Sequence, residues 1–362
     1  MDTLTHALLG ATVAQAAAPR ASRLSMRERV ALGAAAGAWP DLDFVGFWID
    51  PLRYLADWHQ GPTHSIVLLP VWAALLGMVA ARLLQRPVAT REAVVLAALA
   101  LLSHLAADVL TAYGMAWLAP LSAQRIGSGT VFVVDPLYSA IVVAALVASL
   151  RAARWRRPVA GAGLLLLGVY VGWLAGLQHR AVDAGRQAWL GVSAASAELQ
   201  PVALAQPLSP WHWKLLVADG SAIHEAHLRL KSPLGDMTWL QGLPALPGLA
   251  RLQAMAAAYQ PPARLAWTRH DRRAEPGAWA PLADAVWVRD DFDAFRRFAV
   301  HPALWRLDGD PDGAACVWFS ERRFDLPALP ATFRYGACRD AADAPWRLHR
   351  QRYLRDDARQ PL

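Results

Sequence analysis

The chain has 362 residues, of which 55% are hydrophobic and only 18% charged, with a formal net charge of +7. That balance is too apolar for an ordinary soluble protein, and the apolar runs concentrate before residue 180, so the sequence reads as a membrane protein with a soluble tail. Nucleic acid is not an expected partner, because in the first half arginine is confined to short loops between apolar runs, where a membrane-orientation signal explains it.

The opening Met1-Asp2-Thr3-Leu4-Thr5-His6 carries an acid and no basic leader, so it does not read as a cleavable signal peptide and is expected to be retained. Leu4 to Ala18 and Val30 to Trp39 are apolar but short, suited to tilted, re-entrant or half-spanning helices. The second holds Gly33-Ala-Ala-Ala-Gly37, a small-xxx-small pattern that allows close helix approach, although a plain Ala/Gly bias reads the same way. Ser65 to Ala81 is longer, and Ala93 to Ala112, Val131 to Leu150 and Pro158 to Leu177 approach the roughly 20 residues needed to span hydrocarbon. The expected fold is therefore a membrane α-helical domain over residues 1–180, with four to six helices including short or half-spanning segments, followed by a soluble α+β domain over residues 181–362.

Loop charges suggest an orientation. Arg20, Arg23, Arg27 and Arg29 share one loop, Arg82, Arg86 and Arg91 the next, and Arg151, Arg154, Arg156 and Arg157 a third. If the segments alternate, all three loops lie on one side, which the positive-inside rule makes cytoplasmic. The opposite loops hold only Arg53 and Arg125, with Trp48, Trp58 and Trp117 as candidate interfacial anchors. The last apolar segment then delivers the tail to the outside, the periplasm if the organism is Gram-negative.

In the tail, proline punctuates the chain at Pro201, Pro207, Pro210, Pro244, Pro247, Pro261 and Pro262. Trp211 to Ala218 and Ala222 to Leu230 flank Asp219-Gly220-Ser221 and predict a β-hairpin. Asp291 to Val300 predicts a helix, and Ala303 to Leu307 and Ala315 to Phe319 predict strands around Asp308-Gly309-Asp310. The two cysteines, Cys316 and Cys338, both fall here; a disulfide and two buried thiols are equally compatible with the sequence.

Eight ionisable residues lie in or beside the most apolar third: His6, Asp41, Asp43, His59, His64, His104, Asp108 and Asp135. An unpaired charge within a bilayer costs several kcal/mol, so such a set calls for a compensating partner, most simply a metal ion. In His104-Leu-Ala-Ala-Asp108 the imidazole and carboxylate stand four apart, on one helix face. Pro40-Asp41-Leu42-Asp43 ends the second short segment at a proline and supplies two oxygen ligands. His59-Gln-Gly-Pro-Thr-His64-Ser65 has Gly61 and Pro62 to turn the chain, bringing both imidazoles back together, with Thr63 or Ser65 capping the next helix. Nitrogen and oxygen ligands without cysteine suit Zn first, with Mn, Fe or Mg also compatible, and eight candidates suffice for one or two ions. Asp43 or Asp108 is a candidate base, and Arg125, following Ser122, is a candidate for orienting an anionic group or an interfacial anchor.

These motifs, in order, resemble the YdjM-like family of bacterial inner-membrane proteins: the opening six residues, Pro40-Asp41-Leu42-Asp43, His59 to Ser65, His104 to Gly114, and Asp135-Pro136-Leu137. The likeness covers roughly residues 1 to 180. The family's usual His-Arg-Gly-x-Thr-His stands here with Gln60 in the arginine's place, and Pro207-Leu-Ser-Pro-Trp211 resembles, more weakly, the extension of longer members. The resemblance implies a metal-dependent hydrolase and supplies no substrate.

Two other patterns are set aside. His224-Glu-Ala-His227 lacks zincin spacing, and in a strand its histidines fall on opposite faces. Gly127-Ser128-Gly129 has neither the glycine spacing nor the lysine of a phosphate loop. The expectation is hydrolysis of an amphiphilic substrate, a lipid or lipid-linked phosphoester, in the bilayer; a non-enzymatic metal-binding or ion-transporting envelope protein is the rival, and a plain anchor for the tail is third.

Overall fold

The computed structural model describes residues 1–192, 198–230, 249–352 and 358–362. They form two compact units, one of Met1–Ile49 and Asp57–Gly176, the other of Asp50–Ala56 and Leu177–Leu362. Pro244 and Pro247 lie outside the described residues.

The first unit is helical. Helix α1 (Thr3–Ala17) starts where the Asp2 side chain accepts from the Thr5 amide, and α2 (Met26–Ala38) starts at a capping box formed by Ser25 and Glu28. Pro40 follows, and the chain tightens into a 3-10 helix over Trp39–Trp48. The chain makes a single turn, α3 (Pro51–Arg53), that belongs to the second unit; back in the first, the backbone reverses at Gln60, whose φ is 52°, and passes through Pro62–His64 into α4 (Leu69–Leu83). Helix α4 begins later than Ser65, because the Ser65 hydroxyl accepts from the Val67 and Leu68 amides and holds a turn there. Helices α5 (Thr90–Val109) and α6 (Pro136–Arg151) follow, and α7 (Arg156–Leu190) runs from the first unit into the second.

Helices α1, α2 and α5 pack against one another around a core of small and branched residues, among them Ala14, Leu32, Ala36, Leu96, Ala97 and Ala100. The Gly33/Gly37 pattern is a true contact: a Cβ on Gly33 would stand 2.4 Å from the Gly10 carbonyl, and one on Gly37 2.4 Å from the His6 carbonyl. Glycine is what lets the two backbones touch.

By length and composition, Pro87–Val109 and Ala153–Leu190 can each cross a membrane, and the pair Pro51–His64 and Leu69–Leu83, bent by 67°, makes a third if it is one broken span. The four to six helices expected include short or half-spanning segments, and α1, α2 and α6 are of that kind. Helices α1, α2 and α6 have 15, 13 and 16 residues, and at 1.5 Å per residue even the longest reaches only ~24 Å of a roughly 30 Å hydrocarbon layer.

The second unit is sheet-rich. Strands β1 (Val202–Ala205), β2 (His212–Ala218), β3 (Ala222–Arg229) and β4 (Thr268–Asp271) form an antiparallel sheet in that order. Strands β5 (Pro302–Gly309), β6 (Ala315–Glu321), β7 (Arg334–Arg339), β8 (Arg347–Gln351) and β9 (Arg359–Pro361) form a second. The predicted hairpin is β2–β3, closed by the Asp219 side chain on the Ser221 and Ala222 amides. Of the helix predicted over Asp291 to Val300, only α10 (Asp293–Phe298) forms, after a 3-10 turn. Helices α8 (Leu249–Ala258) and α9 (Trp279–Trp287) complete the unit, and Trp287, Phe292, Phe295 and Phe319 pack ring on ring in its core. Cys316 and Cys338 face each other across β6 and β7 and are joined as a disulfide.

Candidate metal centre

His104 and Asp108 lie on the inward face of α5, both fully buried, and His6 enters from α1 with its ring stacked on His104 at 3.6 Å. Asp41 and Asp43 come from the 3-10 helix after α2, and His59 and His64 from the turn before α4. Four segments thus meet.

The inner atoms have a regular spacing. His104 Nε2 is 3.1 Å from Asp108 Oδ2 and 3.8 Å from Asp41 Oδ1; His64 Nε2 is 3.3 Å and 3.7 Å from the same two oxygens. Four ligands at about 2.0–2.1 Å from a tetrahedral ion stand about 3.3–3.4 Å apart, so these four contacts have the size of tetrahedral edges. His6, Asp41, His104 and Asp108 also offer one ligand atom each, all within 4.8 Å of one another.

The outer atoms fix which ring nitrogens look inward. His104 Nδ1 sits 2.6 Å from the Gly37 carbonyl, which can only accept, so Nδ1 carries the hydrogen and Nε2 a lone pair. Thr63 Oγ1 donates to Asp43 Oδ2 at 3.2 Å and accepts from His64 Nδ1 at 2.9 Å, which turns the lone pair of His64 Nε2 inward as well. Two imidazole lone pairs and two carboxylate oxygens therefore converge, all acceptors. Of these inner atoms, His64 Nε2, His104 Nε2 and Asp108 Oδ2 have no hydrogen-bond donor among the described residues, and neither has the other oxygen of Asp41, Oδ2. A buried set of mutually repelling acceptors is stabilised by a cation at its centre or by protonation of an imidazole. The donor set fits a divalent ion.

The remaining candidates surround this core. Asp108 Oδ1 pairs with His6 Nε2 at 3.0 Å and with the Met1 α-amino group. Asp43 holds the turn: its Oδ1 is 3.0 Å from His59 Nδ1, and its Oδ2 accepts from the Gln60 amide at 3.1 Å as well as from Thr63. His59 lies edge-on to Tyr113 at 4.9 Å. Arg125 donates to the carbonyls of His59 at 2.9 Å and Gly114 at 3.0 Å, tying two loops together. Asp135 is drawn elsewhere: Oδ1 caps α6 on the Leu137 and Tyr138 amides, and Oδ2 accepts from Tyr170 at 2.8 Å.

Three contributors were not read from sequence: Thr63 as the relay, the Gly37 carbonyl as the partner of His104, and the Met1 amine. Thr63 sits between two motif residues and could have been found as a hydroxyl beside a ligand. Gly37 had no such signal, because its part is played by a backbone atom.

Apolar helices of spanning length and a buried His/Asp centre built from four segments define an integral membrane protein with a candidate metal site. The chain belongs to the YdjM inner membrane protein family, whose model matches residues 1–181, and family and helices together support an inner-membrane location. Comparison with curated proteins and with solved structures returned no match.

Proposed function

We propose that the chain is a membrane-embedded metal-dependent hydrolase acting on a lipid or lipid-linked phosphoester. The observation that carries this reading is the set of four inward acceptor atoms near tetrahedral spacing, of which His64 Nε2, His104 Nε2 and Asp108 Oδ2 have no hydrogen-bond donor among the described residues. His64, His104, Asp108 and Asp41 would hold the ion, with His6 beside them as a further ligand; Zn is favoured, and Mn, Fe or Mg suit the same atoms. A divalent ion there supplies Lewis acidity toward a phosphoryl or carbonyl oxygen and lowers the pKa of water.

The chain's own groups supply orientation and proton transfer. Asp43 or Asp108 would act as the base, and Asp43 also orients His59 through Nδ1 at 3.0 Å, on a side chain that is 21% exposed while His64 is fully buried. Asp108, bonded on one oxygen to His6, presents the other to the centre. Arg125 fixes the loop carrying His59.

An amphiphilic substrate is supported by the wall of the site. With three residues per turn, the 3-10 helix places Pro40, Asp43 and Gly46 on one stripe and Leu42, Val45 and Trp48 on another. Pro40 and the Asp43 side chain are buried, while Leu42, Val45 and Trp48 are 58%, 64% and 74% exposed. One short helix thus carries a carboxylate inward and an apolar stripe outward. The one-sided arginine loops and the disulfide of the second unit support an extracytoplasmic tail.

Metal analysis of the purified chain against His104→Ala and Asp108→Ala tests the centre, and unchanged stoichiometry in both variants refutes it. Turnover of a lipid extract should require metal and vanish in the same variants; metal without turnover transfers the case to the non-enzymatic reading. A reporter fused to the tail checks orientation, and cytoplasmic activity of the reporter reverses it.

A further inference from the structure

Two irregular segments close one end of the helical unit. Residues 39–49 hold the 3-10 helix, and residues 110–134, between α5 and α6, form no helix. Both are hydrogen-bonded to the turn that carries His59: Asp43 accepts from the Gln60 amide, and the Ala116 amide donates to the Gln60 carbonyl at 2.8 Å. Leu42, Phe44, Val45, Trp48 and Ile49 are exposed on the first segment, where the rings of Phe44, Phe47 and Trp48 pack on one another, and Leu118, Leu121 and Ile126 are exposed on the second. The charged residues of the two segments are Asp41, Asp43 and Arg125, and each is committed inward: Asp41 to the centre, Asp43 to the turn, Arg125 to the His59 and Gly114 carbonyls. Asp57, exposed two residues before His59, borders them.

The arginines lie at the opposite end. There the Arg23 amide donates to Glu92 at 2.8 Å and Arg86 pairs with Glu28 at 3.5 Å, which joins the starts of α2 and α5 into one charged layer. Helix α5 runs unbroken from that layer, and at 1.5 Å per residue His104 and Asp108 stand ~20 Å and ~26 Å beyond Arg91. With Arg91 at one edge of a roughly 30 Å hydrocarbon layer, the His/Asp centre falls in the far third. The two closing segments then lie at the far edge, where two demands meet. Irregular backbone is not tolerated against lipid hydrocarbon, whereas a contiguous apolar patch is disfavoured in water. The boundary between acyl chains and headgroups satisfies both, and it is where tryptophan anchors.

We propose that residues 39–49 and 110–134 form one interfacial surface, seated at the acyl–headgroup boundary of the leaflet opposite the arginine layer, so that a lipid of that leaflet reaches the His/Asp centre with its headgroup end. The occupant of the surface is the bilayer itself. Assigning the substrate to that leaflet rests on the lipid-hydrolase reading above; the seating of the surface does not.

The test is a spin-label depth measurement on the full chain in vesicles of phosphatidylcholine and phosphatidylglycerol. Cys316 and Cys338 are joined, so a nitroxide reports only an introduced thiol. Val45→Cys and Leu121→Cys place it on the two segments, and Asp312→Cys places it in the exposed turn after β5. Leu102→Cys marks the middle of the layer, ~17 Å along α5 from Arg91. All four residues are exposed, so the label displaces no packing. The Val45 and Leu121 labels should be shielded several-fold from a water-soluble nickel chelate relative to Asp312, and should collide less with dissolved oxygen than Leu102. Labels as open to the chelate as Asp312 would overturn the membrane contact and assign the surface to water or a protein partner; labels as deep as Leu102 would overturn the boundary. Shielded labels in a chain that turns over no lipid support the seating and refute the hydrolase reading, whereas turnover by a chain whose labels lie open does the reverse.

Discussion

Replacing Gly37 by alanine probes how helix packing sets the metal centre. The new Cβ would stand 2.4 Å from the His6 carbonyl, against an ordinary contact of 3.4 Å or more, so α1 and α2 must separate by the difference, 3.4 − 2.4 = 1.0 Å. Both helices feed the centre: α1 carries His6, and the Gly37 carbonyl holds His104 Nδ1 at 2.6 Å. A shift of that size exceeds the whole spread of the four inner contacts, 3.1 to 3.8 Å. Overpacking of this kind costs typically about 1–3 kcal/mol. Gly168→Ala in α7 is the matched control, because nothing lies within 4 Å of its Cβ position; it should be neutral or gain up to ~1 kcal/mol of helix propensity. Thermal unfolding and metal content, measured on both variants in the same micelles, decide the matter. Gly37→Ala should lose both stability and metal, and equal stability and metal content in the two variants would refute the reasoning.

Other outcomes follow from individual contacts. Asp43→Asn should lower metal affinity by roughly 10- to 100-fold without abolishing it, since Asp43 holds His59 and, through Thr63, His64; equilibrium dialysis against a competing chelator measures this. Burial, with Arg229 adding, lowers His212 from 6.5 to about 4. Its neutral form therefore stabilises the second unit above pH 6.5, and that contribution, at most ~3 kcal/mol, is lost as pH falls toward 4. Glu225 is raised by burial but pulled down to about 2 by Lys214 and Arg322, so the loss continues in stronger acid. His212→Phe, keeping the stack on Tyr259, should flatten the upper part of the pH–stability curve, and an unaltered curve would remove His212 as its cause. The Cys316–Cys338 disulfide closes a loop of sequence separation 22, and Cys316→Ser with Cys338→Ser should destabilise by about 3 kcal/mol on the chain-entropy estimate. Chemical denaturation compares the two chains, with the second unit followed separately.

Much of the helical unit was legible in the sequence because its signals are local. Pro40 announces a stop, and His104 and Asp108 share a face through helical spacing alone, whereas α2 starts at Met26 rather than Val30 and takes Arg27 and Arg29 out of the loop, because Ser25 and Glu28 cap it. The second sheet was less legible. Arg347–Gln351 alternates no apolar residues, and Arg359–Pro361 is too short to signal; both become strands by hydrogen bonding to β7 and to each other. Lys214 is another case: a fully buried lysine within Trp213-Lys214-Leu215, it is matched by Glu225 at 3.4 Å and the Arg322 carbonyl at 2.8 Å, partners distant in the chain.

The sequence by itself determined which residue types lie near apolar segments, the spacing that pairs His104 with Asp108, and the family to which residues 1–181 belong. Tertiary structure alone decided the rest. It turned Nε2 of His64 and His104 inward, made Asp43 a support for the histidines, drew Asp135 into capping α6, spent Arg125 on two carbonyls and joined the cysteines. The physical reason is that helix starts and faces follow from neighbours a few residues apart. Convergence of four segments on one point depends instead on backbone approach, set here by Gly10, Gly33 and Gly37, between residues that the chain keeps far apart.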